Sequence, residues 1–130
     1  MITRKQLKLL NDFLDDLDDK FNINSGGCCY VAYIIAKNLK KLNITFKIMI
    51  SDNDSLSKFS TKHNESVYHV FLHIPYIGDI NPMYGDYTKE YNLSLSELLR
   101  YYNNSTWNSR YDTNFNKYIS NQINNFFKKL

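Results

Sequence analysis

Cys28, His69 and Asn81 are of the residue types that can supply a nucleophile, a base and an orienting group. A cysteine attacks as its thiolate, and a helix N-terminus favours the thiolate because unpaired N–H groups and the macrodipole attract an anion. Cys28 stands at such a place. The stretch SGGCCYVAYIIAKNLKKL, Ser25 to Leu42, has two glycines that permit a tight approach, and a helix starting at or next to Cys28. Cys28, Val31, Ala32, Ile35, Leu39 and Leu42 fall on one apolar stripe, so the first turn faces the interior. Lys37, Asn38, Lys40 and Lys41 suit solvent, and Asn43 sits at a C-cap position. Taken alone, Cys28 and Cys29 read more simply as two small residues packing a helix, which is what free cysteine usually does.

A nucleophile needs a base, and the base needs a third group. Ser66 to Ile74, SVYHVFLHI, alternates as a strand with His69 and His73 on one face. His69 is the better base, since it lies mid-strand among apolar neighbours where a buried imidazole must find a partner. His73 lies close to the turn, and His63 falls in a polar loop. Pro75 and Tyr76 turn the chain into a returning strand, Ile77 to Met83, with Ile77, Asp79 and Asn81 on one face. In that hairpin Asp79 pairs near His73, and Asn81 reaches about 6–7 Å further towards His69. Asn81 is therefore the expected orienting residue, with Asp79 the runner-up. Asn24 and Asn22, just before Cys28, are oxyanion candidates beside the Cys28 N–H; their ordinary role would be in a turn or cap. No metal or cofactor is expected: His69 and His73 stand about 13 Å apart along one strand, too far to share an ion.

The elements around these residues are legible. Thr3 caps a first helix running to about Lys20, with Leu7, Leu10, Phe13, Leu14 and Leu17 inward. Ile44 to Ser51 reads as a strand. Asp52 to Glu65 is a polar loop that Leu56 and Phe59 would anchor. Asp86 to Asn92 is a short strand or irregular segment, and Ser94 with Glu97 has capping-box spacing for a helix to about Tyr102. Asn103 to Tyr111 is a polar loop holding Trp107. A last helix runs from about Thr113 to the end, with Phe115, Tyr118, Ile119, Ile123, Phe126, Phe127 and Leu130 in its stripe. The expected class is α+β in a single domain, residues 1–130. A central Cys-bearing helix packs on a small antiparallel sheet, flanked by N- and C-terminal helices.

Composition narrows the partners. With 43% hydrophobic and 22% charged residues the chain is globular. A net charge of +3 without a basic stripe gives no nucleic-acid footprint. No apolar run matches a membrane span, and the N-terminus has no signal-peptide core. The expectation is a cytoplasmic or virion-associated protein. Two adjacent cysteines cannot form a disulfide framework, which fits a reducing compartment. Frequent Asn and Lys point to an AT-rich genome, as in a bacterium or its phage.

Gly26-x-Cys28 with Ala32 resembles the G-x-C motif that opens the central helix of papain-like and transglutaminase-like cysteine enzymes. Leu42-Asn43-Ile44 resembles the family's L-G-I at that helix's end. His69 to Ile74, HVFLHI, is similar to its H-A-W-V-E-V strand, and Asn81-Pro82-Met83 to its D-P-T. The resemblance covers Ser25 to about Gly85. It implies a Cys-bearing helix on an antiparallel sheet, and acyl transfer at an amide or thioester carbonyl through Cys28, His69 and Asn81. Cys29 stands where an aromatic or polar residue is common, Asn81 replaces the more usual Asp, and no oxyanion Gln precedes the cysteine. The expected function is a small cysteine hydrolase or acyltransferase with a peptide or amide substrate. The alternative is a catalytically inactive binding or structural module, in a phage virion or a microbe, with a protein partner.

Overall fold

The computed structural model describes residues 2–24, 28–52, 67–84, 87–103 and 113–130. Helix α1, Arg4–Phe21, begins where Thr3 directs it. The Gln6 N–H donates to Thr3 Oγ1 at 3.1 Å and the Thr3 N–H donates to Gln6 Oε1 at 2.8 Å. Such a reciprocal box satisfies two otherwise orphaned donors, and a cap of this kind is worth about 1 kcal/mol. α1 buries Leu7, Leu10, Leu14 and Leu17, and ends at Asn22 in the left-handed region (φ 53°).

Helix α2, Cys28–Lys41, buries Cys28, Cys29, Val31, Ala32, Ile34, Ile35, Ala36 and Leu39, a broader face than its stripe implies. The reason is that it is packed on two sides, against the sheet and against the later helices. Asn43 (φ 57°) closes it: the Asn43 N–H donates to Lys40 O at 3.1 Å and the Ile44 N–H to Leu39 O at 2.9 Å, a Schellman ending. Leu42, expected in the stripe, lies past the helix end and is 49% exposed.

The sheet comprises β1 (Lys47–Asp52), β2 (Val67–Ile74), β3 (Gly78–Ile80) and β4 (Tyr87–Tyr91) in the order β3-β2-β1-β4, every neighbouring pair antiparallel. β1 starts three residues later than the apolar run, with Ile44 to Phe46 as a lead-in. Ile48, Ile50, Val70, Leu72, Ile74 and Ile80 join the helices in one core. β3 is shorter than expected because Asn81 turns left-handed (φ 56°) directly after Ile80 and leaves the ladder, so it no longer shares a strand face with Asp79. Tyr76 in the preceding turn (φ 69°) and Gly78 at the start of β3 (φ 143°) both have positive φ. A Cβ on Gly78 would lie 3.0 Å from Leu7 Cδ2, so α1 approaches β3 closely there.

Helix α3, Leu95–Asn103, carries the Ser94–Glu97 box, with the Glu97 N–H donating to Ser94 Oγ at 3.1 Å and the Ser94 N–H to Glu97 Oε1 at 3.0 Å. Helix α4, Thr113–Lys128, buries Ile119, Ile123 and Phe127. Tyr118 and Leu130, expected in its stripe, are 46% and 38% exposed. Phe13 stacks on Phe126 with centroids 4.7 Å apart, tying α4 to α1. Ile2 and Leu130 line one small concavity of about 150 Å³ with Gln6 and Phe127. Gly26, Gly27, Leu56, Phe59, His63 and Trp107 lie outside the described residues. Among the described residues no helix is long and apolar enough to cross a membrane.

Candidate active site

Three elements converge on one point: α2 brings Cys28 as its first residue, β2 brings His69, and the turn after β3 brings Asn81. Cys28 is 8% exposed and His69 is fully buried. A hydrogen bond from the Cys29 side chain favours the Cys28 thiolate; burial opposes it, and the His69 side chain and the Val70 backbone N–H add to it. The balance holds the Cys28 thiol well below its ordinary value. For His69 burial disfavours the charged ring. The Cys28 hydrogen bond and charge, the Asn81 backbone and the charge of Asp18 outweigh it and raise the imidazole. The two shifts point the same way, towards a thiolate beside an imidazolium.

The ring's orientation follows from its other nitrogen. His69 Nε2 lies 2.6 Å from the Asn81 backbone oxygen. A carbonyl oxygen only accepts, so Nε2 carries a proton and the neutral ring keeps its lone pair on Nδ1. Nδ1 is buried and completes no aligned hydrogen bond among the described residues. The thiol is thus near enough to shift His69 without being lined up on Nδ1, a looseness common in catalytic pairs before substrate arrives. Leaving a ring nitrogen buried and unpaired costs about 1–3 kcal/mol. Protonation of Nδ1 would relieve that cost by turning a lone pair with no donor into a donor, and the Cys28 thiol is a titratable neighbour that interacts with the ring.

Asn81 meets the ring through its backbone, not through its amide. The amide is engaged with Asn24: Asn24 Nδ2 donates to Asn81 Oδ1 at 3.2 Å and Asn81 Nδ2 donates to Asn24 Oδ1 at 3.0 Å. The Asn24 N–H donates in turn to Asp18 Oδ1 at 2.8 Å. From the middle of α1, Asn11 Oδ1 accepts from the Asn81 N–H at 2.7 Å while Asn11 Nδ2 donates to Asp79 O at 2.9 Å. Cys28, His69, Asn81 and Asn24 therefore come together. Asn22 does not join them, being exposed as the cap of α1. Asp18 and Asn11 were not singled out by sequence. Asp18 is hidden in an acidic run that reads as a solvated face, and Asn11 is one polar residue beside an apolar stripe.

Asp79 serves the other histidine. It lies opposite His73 in register, with Oδ1 2.7 Å from His73 Nδ1, and its Oδ2 accepts from the Tyr84 hydroxyl. That hydrogen bond, with burial and the carboxylate's charge, pushes Tyr84 up to about 12. Phe71 lies between the two groups, stacked with His69 at 6.1 Å and edge-on to Tyr84 at 5.5 Å. Across the sheet from His69, buried Ser51 bonds to Thr88 at 3.0 Å. Among the described residues no three His, Cys, Asp or Glu side chains gather closely enough to hold a metal ion. Comparison of the chain with protein-family models, with curated proteins and with solved structures found no match.

Proposed function

We propose that the protein is a small papain-like or transglutaminase-like cysteine hydrolase or acyltransferase acting on an amide or peptide bond. One observation carries this reading: His69 Nε2 lies 2.6 Å from a carbonyl oxygen, so the neutral ring keeps its basic lone pair on Nδ1; the Cys28 side chain is the neighbour that raises the ring. The Cys28 sulfur attacks the substrate carbonyl carbon, forming a C–S bond as the C=O pair moves to oxygen. The Cys28 N–H, at the start of α2, is the proposed donor to that oxyanion, with the Asn24 amide as a further candidate. His69 gives its Nδ1 proton to the leaving nitrogen, the C–N bond breaks, and a thioester remains. Water or an amine then loses a proton to Nδ1, attacks the thioester, and the C–S bond breaks to restore the thiolate.

The test is a panel of amide and peptide substrates, with and without added amines, applied to the wild type, Cys28→Ser and Cys29→Ser. Activity should vanish in Cys28→Ser and persist in Cys29→Ser; activity retained in Cys28→Ser would sink the proposal. The near-complete burial of Cys28 and His69 favours a second reading, an inactive binding module on the same framework. The pH dependence of iodoacetamide alkylation separates the two. A catalytic Cys28 reacts well below pH 8.5 and loses that reactivity in His69→Ala, whereas a packing cysteine reacts slowly in both.

A further inference from the structure

The third member of a cysteine triad usually holds the imidazole by a side chain. In this chain a backbone carbonyl takes that place and carries no formal charge, so among the described residues no charged group in direct contact with Nε2 balances an imidazolium. The contacts behind the carbonyl lead to a carboxylate. Asn81 is buried, and its amide makes two reciprocal hydrogen bonds with Asn24. The Asn24 backbone N–H is fixed at 2.8 Å by Asp18 Oδ1. We propose that Asp18 is a positioning residue of the Cys28–His69 pair: it tethers the Asn24 backbone that carries the Asn24–Asn81 amide bracket, and its carboxylate stands nearby as the negative charge that the orienting carbonyl lacks. This rests on the Cys28–His69 reading above.

Each link has a physical job. Asp18 tethers the backbone of Asn24 in the connector after α1. Asn24 holds the Asn81 amide, and with Asn11 on the Asn81 N–H it fixes the left-handed turn. That turn aims the Asn81 carbonyl at Nε2. The carboxylate of Asp18 also acts on the ring through space, since its charge favours the imidazolium. Among the described residues, the other titratable and polar groups on this side come from neighbouring elements. From α2 come the thiols of Cys28 and Cys29, and from β1 the neutral Ser51. Further along β2 and β3, His73 and Asp79 are bonded to each other, with Tyr84 on Asp79.

Asp18→Asn separates charge from geometry, because an amide oxygen still accepts from the Asn24 N–H. The full-length protein is alkylated with iodoacetamide from pH 4 to 9, and Cys28 is read by peptide mass spectrometry. The series comprises wild type, Asp18→Asn, Asp18→Glu and Asn24→Ala, with melting recorded for each. In Asp18→Asn the Cys28 profile should move to higher pH, slowing alkylation near pH 6 by about three- to ten-fold, since one pKa unit is tenfold in the thiolate population. Asp18→Glu keeps the charge and should restore most of the rate. Asn24→Ala should shift the profile in the same direction as Asp18→Asn while leaving the carboxylate in place. An Asp18→Asn profile matching the wild type, at unchanged melting, overturns the proposal and leaves Asp18 a simple tether. A wild-type Cys28 that already titrates as an ordinary thiol overturns the Cys–His pair itself, so the two failures are told apart.

Discussion

His69 is held by an atom that every residue possesses. The sequence reveals Cys28 by its place at a helix start and His69 by its place in an apolar strand. It reveals Asn81 only as a polar residue at the right distance along a hairpin. That a backbone oxygen does the holding leaves no trace in residue types, because the left-handed turn that aims it depends on Asn11 and Asn24 from another element. Asp79 shows the converse. Its register opposite His73 was readable, and its hydroxyl partner Tyr84 was not, since the contact is made after β3 has ended. Asp79→Asn should therefore bring the Tyr84 phenol down from about 12 towards the ordinary value near 10, the carboxylate charge being lost. NMR titration of the Tyr84 ring, identified with Tyr84→Phe, reads this directly. An unmoved midpoint would mean that burial and not Asp79 sets it.

Among the elements, those governed by local chemistry were the most legible. The Thr3 and Ser94 boxes, the Asn43 ending and the leucine stripe of α1 all involve residues within one or two turns of each other. Positions decided by packing were less so. Leu42 and Leu130 carry apolar side chains yet face outward because their helices have ended, and β3 stops where α1 intervenes. The close approach of α1 to β3 gives a prediction at this scale. Gly78→Ala places a methyl 3.0 Å from Leu7 on a backbone of φ 143° that L-residues avoid. It should cost about 1–3 kcal/mol in a denaturant titration. Since Asn11 rides on the same helix, it should also disturb the Asn81 turn and slow Cys28 alkylation. A destabilised variant with an unaltered alkylation profile would show that α1 does not tune the site.

For the molecule as a whole, the α+β class and the order of helices and strands follow from hydrophobic period with cap and turn signals, save β4, whose segment the sequence leaves open between a short strand and an irregular stretch. The order of strands within the sheet does not, because the pairing of β1 with β4 joins segments far apart in the chain. The buried pair also links the site to global stability. Cys28 is held below its ordinary value near 9.0, so its share of stability is complete above that value and is lost as pH falls through the lower folded one. His69 is raised above 6.5, so its share is complete below 6.5 and is lost as pH rises through the higher folded value. Urea midpoints of the wild type and Cys28→Ser should accordingly converge as pH is lowered through the folded thiol value. A constant gap between them would mean that Cys28 contributes by packing alone.

Ile2, just before α1, and Leu130, just after α4, line a single concavity, and Phe13 stacks on Phe126 further along. The two helices therefore brace each other at both points. α1, which carries Asn11 and Asp18, is steadied by a helix from a distant part of the chain.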